Sequence, residues 1–353
     1  MNSISQRASF IVLLAATLIS LLIAGCGGGG GENGQYYPIQ NGEKWGYINA
    51  SGEVVIEPQF DHAGPFHEGR AVIGEKAPEL DGRRSRLFGY INKRGEVVIE
   101  PQYSVARRFS SGLAPVQDTS SEEYGYVNKQ GKMVISPQFF DAYSFSEGLA
   151  AVDTGSPKQA DDSWGYINAE GEMEIESQFW GARRFGDGLA PVSMDESGNE
   201  KWGYIDKNGK EVIEPQYAEA RPFSDGLAPV SREEEGGIMA DEYWGYIDKE
   251  GTVKIKIDKE LALPFSDGFA PMEGSSGWAY VNPSGEKVIE GDWELAKSFH
   301  GALARVTLSA RGMGHGHRGG AYSIRAGGNA RQAYINRSGK VVWKEPESSQ
   351  TGE

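Results

Sequence analysis

Cysteine is almost missing: Cys26 is the single one in 353 residues. No disulfide can form within the chain, and no cysteine-based zinc or iron–sulfur site can be assembled. Histidine is scarce too, with five residues. His315-Gly316-His317 is a close pair, but no carboxylate stands near it in a segment rich in glycine and arginine. It reads as a flexible loop, so no metal and no cofactor are expected. Bases are outnumbered, 35 against 50 acids, for a formal charge of -15. Phosphate binding needs basic clusters, which argues against nucleic acid as a partner. No stretch keeps an apolar period of 3.6 over 12 residues, so helices are not expected. Gly-x-Ser-x-Gly, His-Glu-x-x-His, phosphate-binding and calcium-loop motifs are all absent. One long apolar run exists, Phe10 to Ala24. Its 15 residues fall short of the roughly 20 that span a membrane.

That run follows Arg7 and ends Leu22-Ile23-Ala24-Gly25-Cys26. An aliphatic residue, two small residues and cysteine resemble the lipobox of bacterial lipoproteins. The resemblance implies cleavage before Cys26, lipid on its sulfur, and attachment to a membrane through that anchor. An ordinary secretory signal or a short anchor helix is the alternative. Residues 1–25 are then a lipoprotein signal peptide, and 26–35 the lipidated cysteine with a glycine-rich tether. Gly27 stands after the cysteine in place of the Asp that would resemble an inner-membrane retention signal, which favours the outer membrane or the cell surface.

Glycine is plentiful, with 49 residues, and much of it belongs to a repeat. Gly-Tyr recurs at Gly46, Gly89, Gly125, Gly165, Gly203 and Gly245, and Ala279-Tyr280 and Ala333-Tyr334 continue the series. Eight copies of a unit of about 40 residues result. The clearest copy runs from Trp202-Gly203-Tyr204-Ile205 through Glu214-Pro215-Gln216-Tyr217 to Phe223-Ser224-Asp225-Gly226 and Leu227-Ala228-Pro229-Val230. The pattern resembles the WG-repeat (KWG-repeat) family of bacterial proteins over residues 44–346. That resemblance implies little about activity and carries over no catalytic residue.

Each unit holds three short runs rich in Val, Ile, Tyr, Trp and Leu, bounded by turns. They are strand A (Leu-Ala-Pro-Val), strand B (Trp-Gly-Tyr-Ile) and strand C (Glu-Val-Val-Ile-Glu). Asn/Asp-x-x-Gly, as in Asn128-Lys129-Gln130-Gly131, joins B to C as a tight hairpin. After C, a segment such as Gln216 to Phe223 is placed as a weaker fourth strand, D. Pro115, Pro191, Pro229 and Pro271 put strand A at an edge, such as the inner edge of a propeller blade. The repeated small residue in strand B predicts a close approach of backbone or aromatic ring. The fold class is all-β, eight units of three or four strands, read as a β-propeller, with an open β-solenoid as the alternative. The repeat domain spans 36–346, and 347–353 is a disordered tail. No segment stands out as a seal where the ends of a ring would meet.

Insertions fall between strands A and B, at 74–87, 117–123, 153–163, 193–201, 231–243 and 307–332. Equivalent loops emerge on one face, where repeat scaffolds build binding surfaces. The segment 231–243 carries the largest negative charge, -4. Glu233, Glu234 and Glu235 are therefore candidate binding residues for a partner of mixed or positive charge; solvation is the alternative. Trp45, Trp164, Trp202 and Trp244 share one unit position and read as core between units. Trp180 and Trp293 sit after strand C and are the candidates for an exposed contact. Glu68, Glu147, Asp187, Asp225 and Asp267 recur before turn glycines, with Ser111 and His300 in that place in other copies. They read as turn chemistry. No acid pair stands apart from repetition, as glycoside hydrolysis would require. The function expected is a non-catalytic, lipid-anchored binding or scaffold protein of the cell envelope, with a protein or envelope polysaccharide as ligand. A structural spacer, or an envelope hydrolase, is the alternative.

Overall fold

Every residue of Tyr124-Gly125-Tyr126-Val127 is buried. Strand B is thus covered on both faces, as in a sheet stacked between two others. Strand C alternates instead: Ile135 and Phe139 are buried while Val134, Ser136 and Gln138 are exposed. It lies at the perimeter with one face in water. The structure is a computed structural model and describes residues 34–76, 86–155, 164–194, 201–233, 242–257, 262–274, 277–308 and 331–346. Among these residues every regular element is a β-strand.

Eight antiparallel sheets follow one another along the chain, six of four strands and two of three. Blade 1 runs from Tyr37 to Phe60, blade 2 from His62 to Tyr103, blade 3 from Val105 to Phe139 and blade 4 from Asp141 to Phe179. Blade 5 runs from Gly181 to Tyr217, blade 6 from Glu219 to Ile257, blade 7 from Ala270 to Glu290 and blade 8 from Trp293 to Lys344. Eight apolar clusters fill the seams between consecutive blades. One of them joins Tyr37, Ile39 and Ile48 of blade 1 to Leu303 and Tyr334 of blade 8. The ring is closed: the molecule is an eight-bladed β-propeller, and the open solenoid is excluded.

Strand D departs from the sequence reading. The segment after strand C does not finish its own blade; it opens the next. Val105–Ala106 pairs with Leu113–Gln117, the following strand A, so each four-stranded blade is ordered D-A-B-C. Two residues are too few to show an alternating pattern, which is why the sequence could not assign them to a sheet. Strand A is consequently second from the axis in most blades. Its proline still faces the inner side, where the Pro115 carbonyl accepts from the Arg107 N–H at 3.0 Å. Chain direction puts the D–A and B–C turns on one face of the ring and the A–B loops on the other.

The small residue of strand B has a local cause. Strand C bulges opposite it, and a Cβ on Gly125 would lie 2.5 Å from the Ile135 carbonyl oxygen. In blades 7 and 8 no shift occurs at that point, since Ala279 pairs with Glu290 and Ala333 with Lys344. Alanine fits there.

The tyrosine of strand B ties each blade to the next. Tyr47, Tyr90, Tyr126, Tyr166, Tyr204, Tyr246 and Tyr280 each donate a hydroxyl to a carbonyl 17 residues on, at 2.8 to 2.9 Å. Each ring also meets the phenylalanine of the next D–A turn, as Tyr126 meets Phe145 at 5.1 Å. Blade 1 has no strand D among the described residues, and there the chain improvises. Tyr334 donates directly to the Pro38 carbonyl of strand A at 2.8 Å. Tyr37 replaces the missing phenylalanine, 5.6 Å from the Tyr334 ring. This is the seal that the sequence did not show.

Candidate functional site

Strand D is the innermost strand, so the two residues between it and the turn phenylalanine stand next to the axis. In seven blades these pairs are Gly64-Pro65, Arg107-Arg108, Tyr143-Ser144, Arg183-Arg184, Arg221-Pro222, Leu263-Pro264 and Lys297-Ser298. The first residue gives its carbonyl to the preceding blade's tyrosine. Where it is arginine, its side chain lies over the first aromatic of strand B. Arg183 stacks on Trp202 at 4.4 Å, Arg221 on Trp244 at 4.8 Å and Arg107 on Tyr124 at 5.3 Å. Arg107 and Arg183 also pair with Asp141 at 2.8 Å and Glu219 at 2.7 Å.

The second residues meet around the axis, where the Ser144 hydroxyl donates to the Arg108 carbonyl at 2.7 Å. Arg108, Ser144, Arg184 and Pro222, with Tyr143 and the stacked Arg107 and Arg183, line a cavity of about 510 Å³. Arg108 and Arg184 are half-buried and form no ion pair among the described residues. Burial, and for Arg108 the charge of Arg184, holds both guanidinium groups below their usual range. Guanidinium remains charged regardless.

Two histidines pair outside the cavity lining. His67 in the turn of blade 2 and His300 in the turn of blade 8 lie with ring centroids 5.0 Å apart. Among the described residues blade 1 contributes no such turn between them, and His300 Nε2 lies 3.4 Å from the Phe66 carbonyl. Burial lowers His67 to about 4, aided by the charges of Arg108, His300 and Arg184 and opposed by Glu68. His300 is lowered by burial and by Arg108, against the Phe66 carbonyl and Asp267.

The turn acids do more than shape turns. Glu68, Glu147, Asp187, Asp225 and Asp267 hold a left-handed backbone, with φ between 49° and 56°. Each carboxylate reaches forward and accepts from backbone N–H groups of the next blade's turn, as Asp225 does from Gly268 at 2.8 Å. His300 does not occupy their place. Its backbone bridges Leu303 as Ser110 bridges Leu113, so Gly301 is the residue at the acid position.

The sequence candidates fall elsewhere. Trp293 is 6% exposed and packs edge-on against Tyr280 at 5.7 Å. It fills the place at the end of the C run that Phe139 fills against Tyr126, so it is core rather than a contact. Trp180 is half-buried, and its backbone N–H donates to Ser193 at 2.9 Å. Glu233 ends the strand Ala228–Glu233, opposite Glu242. Glu234, Glu235, Cys26, His315 and His317 lie outside the described residues. Among the described residues, no group of three or more His, Cys, Asp and Glu is placed to hold a metal ion. Arg108, Arg184, His67 and His300 were missed. Their signal is an interruption of the repeat, at positions where other copies carry Pro, Ser or Gly.

Comparison with known proteins agrees with this architecture. A family model described as the WG containing repeat matches residues 45–75, 88–118, 124–156, 164–196, 202–234, 244–273 and 278–309. No curated protein matches the chain. Among solved structures, a eukaryotic initiation factor is similar over 88% of this chain and 87% of its own, at 13% identity and a TM-score of 0.53. The β-propeller domain of the Trilobed protease from Pyrococcus furiosus is similar over 78% and 89%, at 9% identity and a TM-score of 0.45. Apo AztD from Citrobacter koseri is similar over 88% and 94%, at 10% identity and a TM-score of 0.45. At 13% identity the likeness to the initiation factor is one of fold alone.

Proposed function

The chain belongs to the WG-repeat family, and from that premise we propose that it is a non-catalytic binding protein of the bacterial envelope, held to a membrane by a lipid on Cys26. One observation carries the reading: the recurring polar groups are engaged between blades, and those that break the recurrence gather in the axial cavity. Eight tyrosine hydroxyls and five turn carboxylates are committed to neighbouring blades. A rigid scaffold around one irregular polar cavity supports recognition of a ligand. The lining presents guanidinium, phenol and hydroxyl groups, a set suited to holding a ligand rather than to paired-carboxylate hydrolysis.

The described chain begins beside a turn. The Gly34 carbonyl accepts from Lys93, in a B–C turn, at 2.7 Å. The chain therefore joins blade 1 on the turn face. A lipid on Cys26 would hold the chain at the outer membrane or cell surface through the glycine-rich segment that follows it. The A–B side, whose connections include the one with Glu233, Glu234 and Glu235, is the proposed face for a protein or envelope-polysaccharide partner.

Two measurements test the proposal. Cys26→Ser should shift the chain from the membrane to the soluble fraction; retention on the membrane would overturn the anchor. Small molecules released by heat from the natively purified full chain, identified by mass spectrometry, should rebind and be recovered unchanged. Their conversion to product would replace the binding reading with an enzymatic one.

A further inference from the structure

The second arginine of each Arg-Arg pair is not required by the fold. Five other blades carry Pro65, Ser144, Pro222, Pro264 and Ser298 at that position and build the same turn. Nor is the chain short of acids to neutralise it, with a formal charge of -15. Asp141 and Glu219 are set against the first arginine of each pair, Arg107 and Arg183. Arg108 and Arg184 are left half-buried without a carboxylate among the described residues. Two like charges in a partly desolvated site work against folding. A cost of this kind, kept at one place, marks a site prepared for a ligand.

We propose that the axial cavity binds a small anionic molecule whose carboxylate or phosphate group is held jointly by Arg108 and Arg184. The proposal deepens the binding reading above and rests on it. Guanidinium presents a planar fork that matches the oxygens of carboxylate and phosphate. The two forks come from blades 3 and 5, with the Ser144 position of blade 4 between them. Ser144 is already engaged with the Arg108 carbonyl, and Arg107 covers the Tyr143 ring at 4.9 Å. The two free arginines are therefore the cationic groups left for a ligand. A volume of about 510 Å³ lies within the usual range for small-molecule sites, roughly 300–1,000 Å³. It suits a small molecule rather than a polymer strand.

The test is thermal unfolding of the detergent-purified full chain, with citrate, inorganic phosphate and pyrophosphate as probes at matched ionic strength. At least one probe should raise Tm saturably. Citrate alone would assign a carboxylate ligand, and phosphate or pyrophosphate alone a phosphate ligand. Arg108→Gln and Arg184→Gln should each weaken the response at least tenfold, whereas Lys254→Gln, equal in charge change but in a distant ion pair with Asp248, should not. The ligand-free Tm of both arginine variants should rise, because a repelling charge is gone; a structural arginine would lower it. No response to any probe, or a response that survives in both arginine variants, would overturn the proposal. A neutral molecule that binds equally well to both variants would overturn it too, while leaving the binding function intact.

Discussion

The Tyr334 hydroxyl donates to the Pro38 carbonyl at 2.8 Å, across 296 residues of chain. In other blades that strand-A carbonyl is taken by the residue after strand D, as Ala151 accepts from Tyr143 at 2.9 Å. Blade 1 lacks strand D among the described residues, which leaves the carbonyl open to the tyrosine of blade 8. The seam is thus made with the same donor as the other seven, one step deeper in the sheet. The same vacancy brings His300 to blade 2. Closure and the His67–His300 contact have one structural origin.

Gly125→Ala should lower stability by about 2 kcal/mol, since the new methyl meets strand C backbone rather than a movable side chain. Ala279→Gly, at the equivalent position of a blade without the shift, should cost under about 1 kcal/mol. Urea denaturation of the two variants checks the contrast. Equal losses would show that the bulge does not set the glycine.

Trp293→Ala should cost about 3–5 kcal/mol, the range for a deleted core aromatic. Trp180→Ala removes a half-buried ring and should cost clearly less. Denaturant midpoints decide the order. A silent Trp293 variant would contradict its place in the seam of blades 7 and 8.

Acidification should weaken the fold through His67. An unfolded histidine titrates near pH 6.5, and the folded one at about 4. Between those values the unfolded state binds the extra proton, so stability falls as pH drops through the window. The groups facing His67 are Arg108, Arg184, His300 and Glu68. His67→Gln should flatten the change in Tm between pH 7 and 5. Carboxylates held low, such as Glu68 beside Lys129, lose their contribution at more acid pH, in both proteins alike. An unchanged slope would remove His67 from the account.

What the sequence disclosed was whatever repeats. Asn128-x-x-Gly131 forms the expected hairpin, with Gly131 at φ 81° and its N–H on the Asn128 carbonyl at 2.9 Å. Strand B and its small residue were equally legible, because eight copies average out local noise. Strand D was not, because a pair such as Val105-Ala106 has no periodicity and its partner lies in the next unit. Trp293 was misread because its copy lacks the Pro-Gln pair, which hid that it stands at the aromatic position. The axial site was hidden for a deeper reason. His300 and Phe66 are 234 residues apart and meet only when the ring closes. Arg108 and Arg184 were single exceptions in a pattern valued for its regularity.

Equilibrium unfolding of Tyr334→Phe beside Tyr126→Phe, followed by tryptophan fluorescence, tests the closed ring most directly. Each variant strands a carbonyl at a blade seam, so both should lose about 1–3 kcal/mol and unfold in one cooperative transition. A silent Tyr334→Phe beside a destabilised Tyr126→Phe would mean that blades 1 and 8 do not hold each other, and the ring would be open.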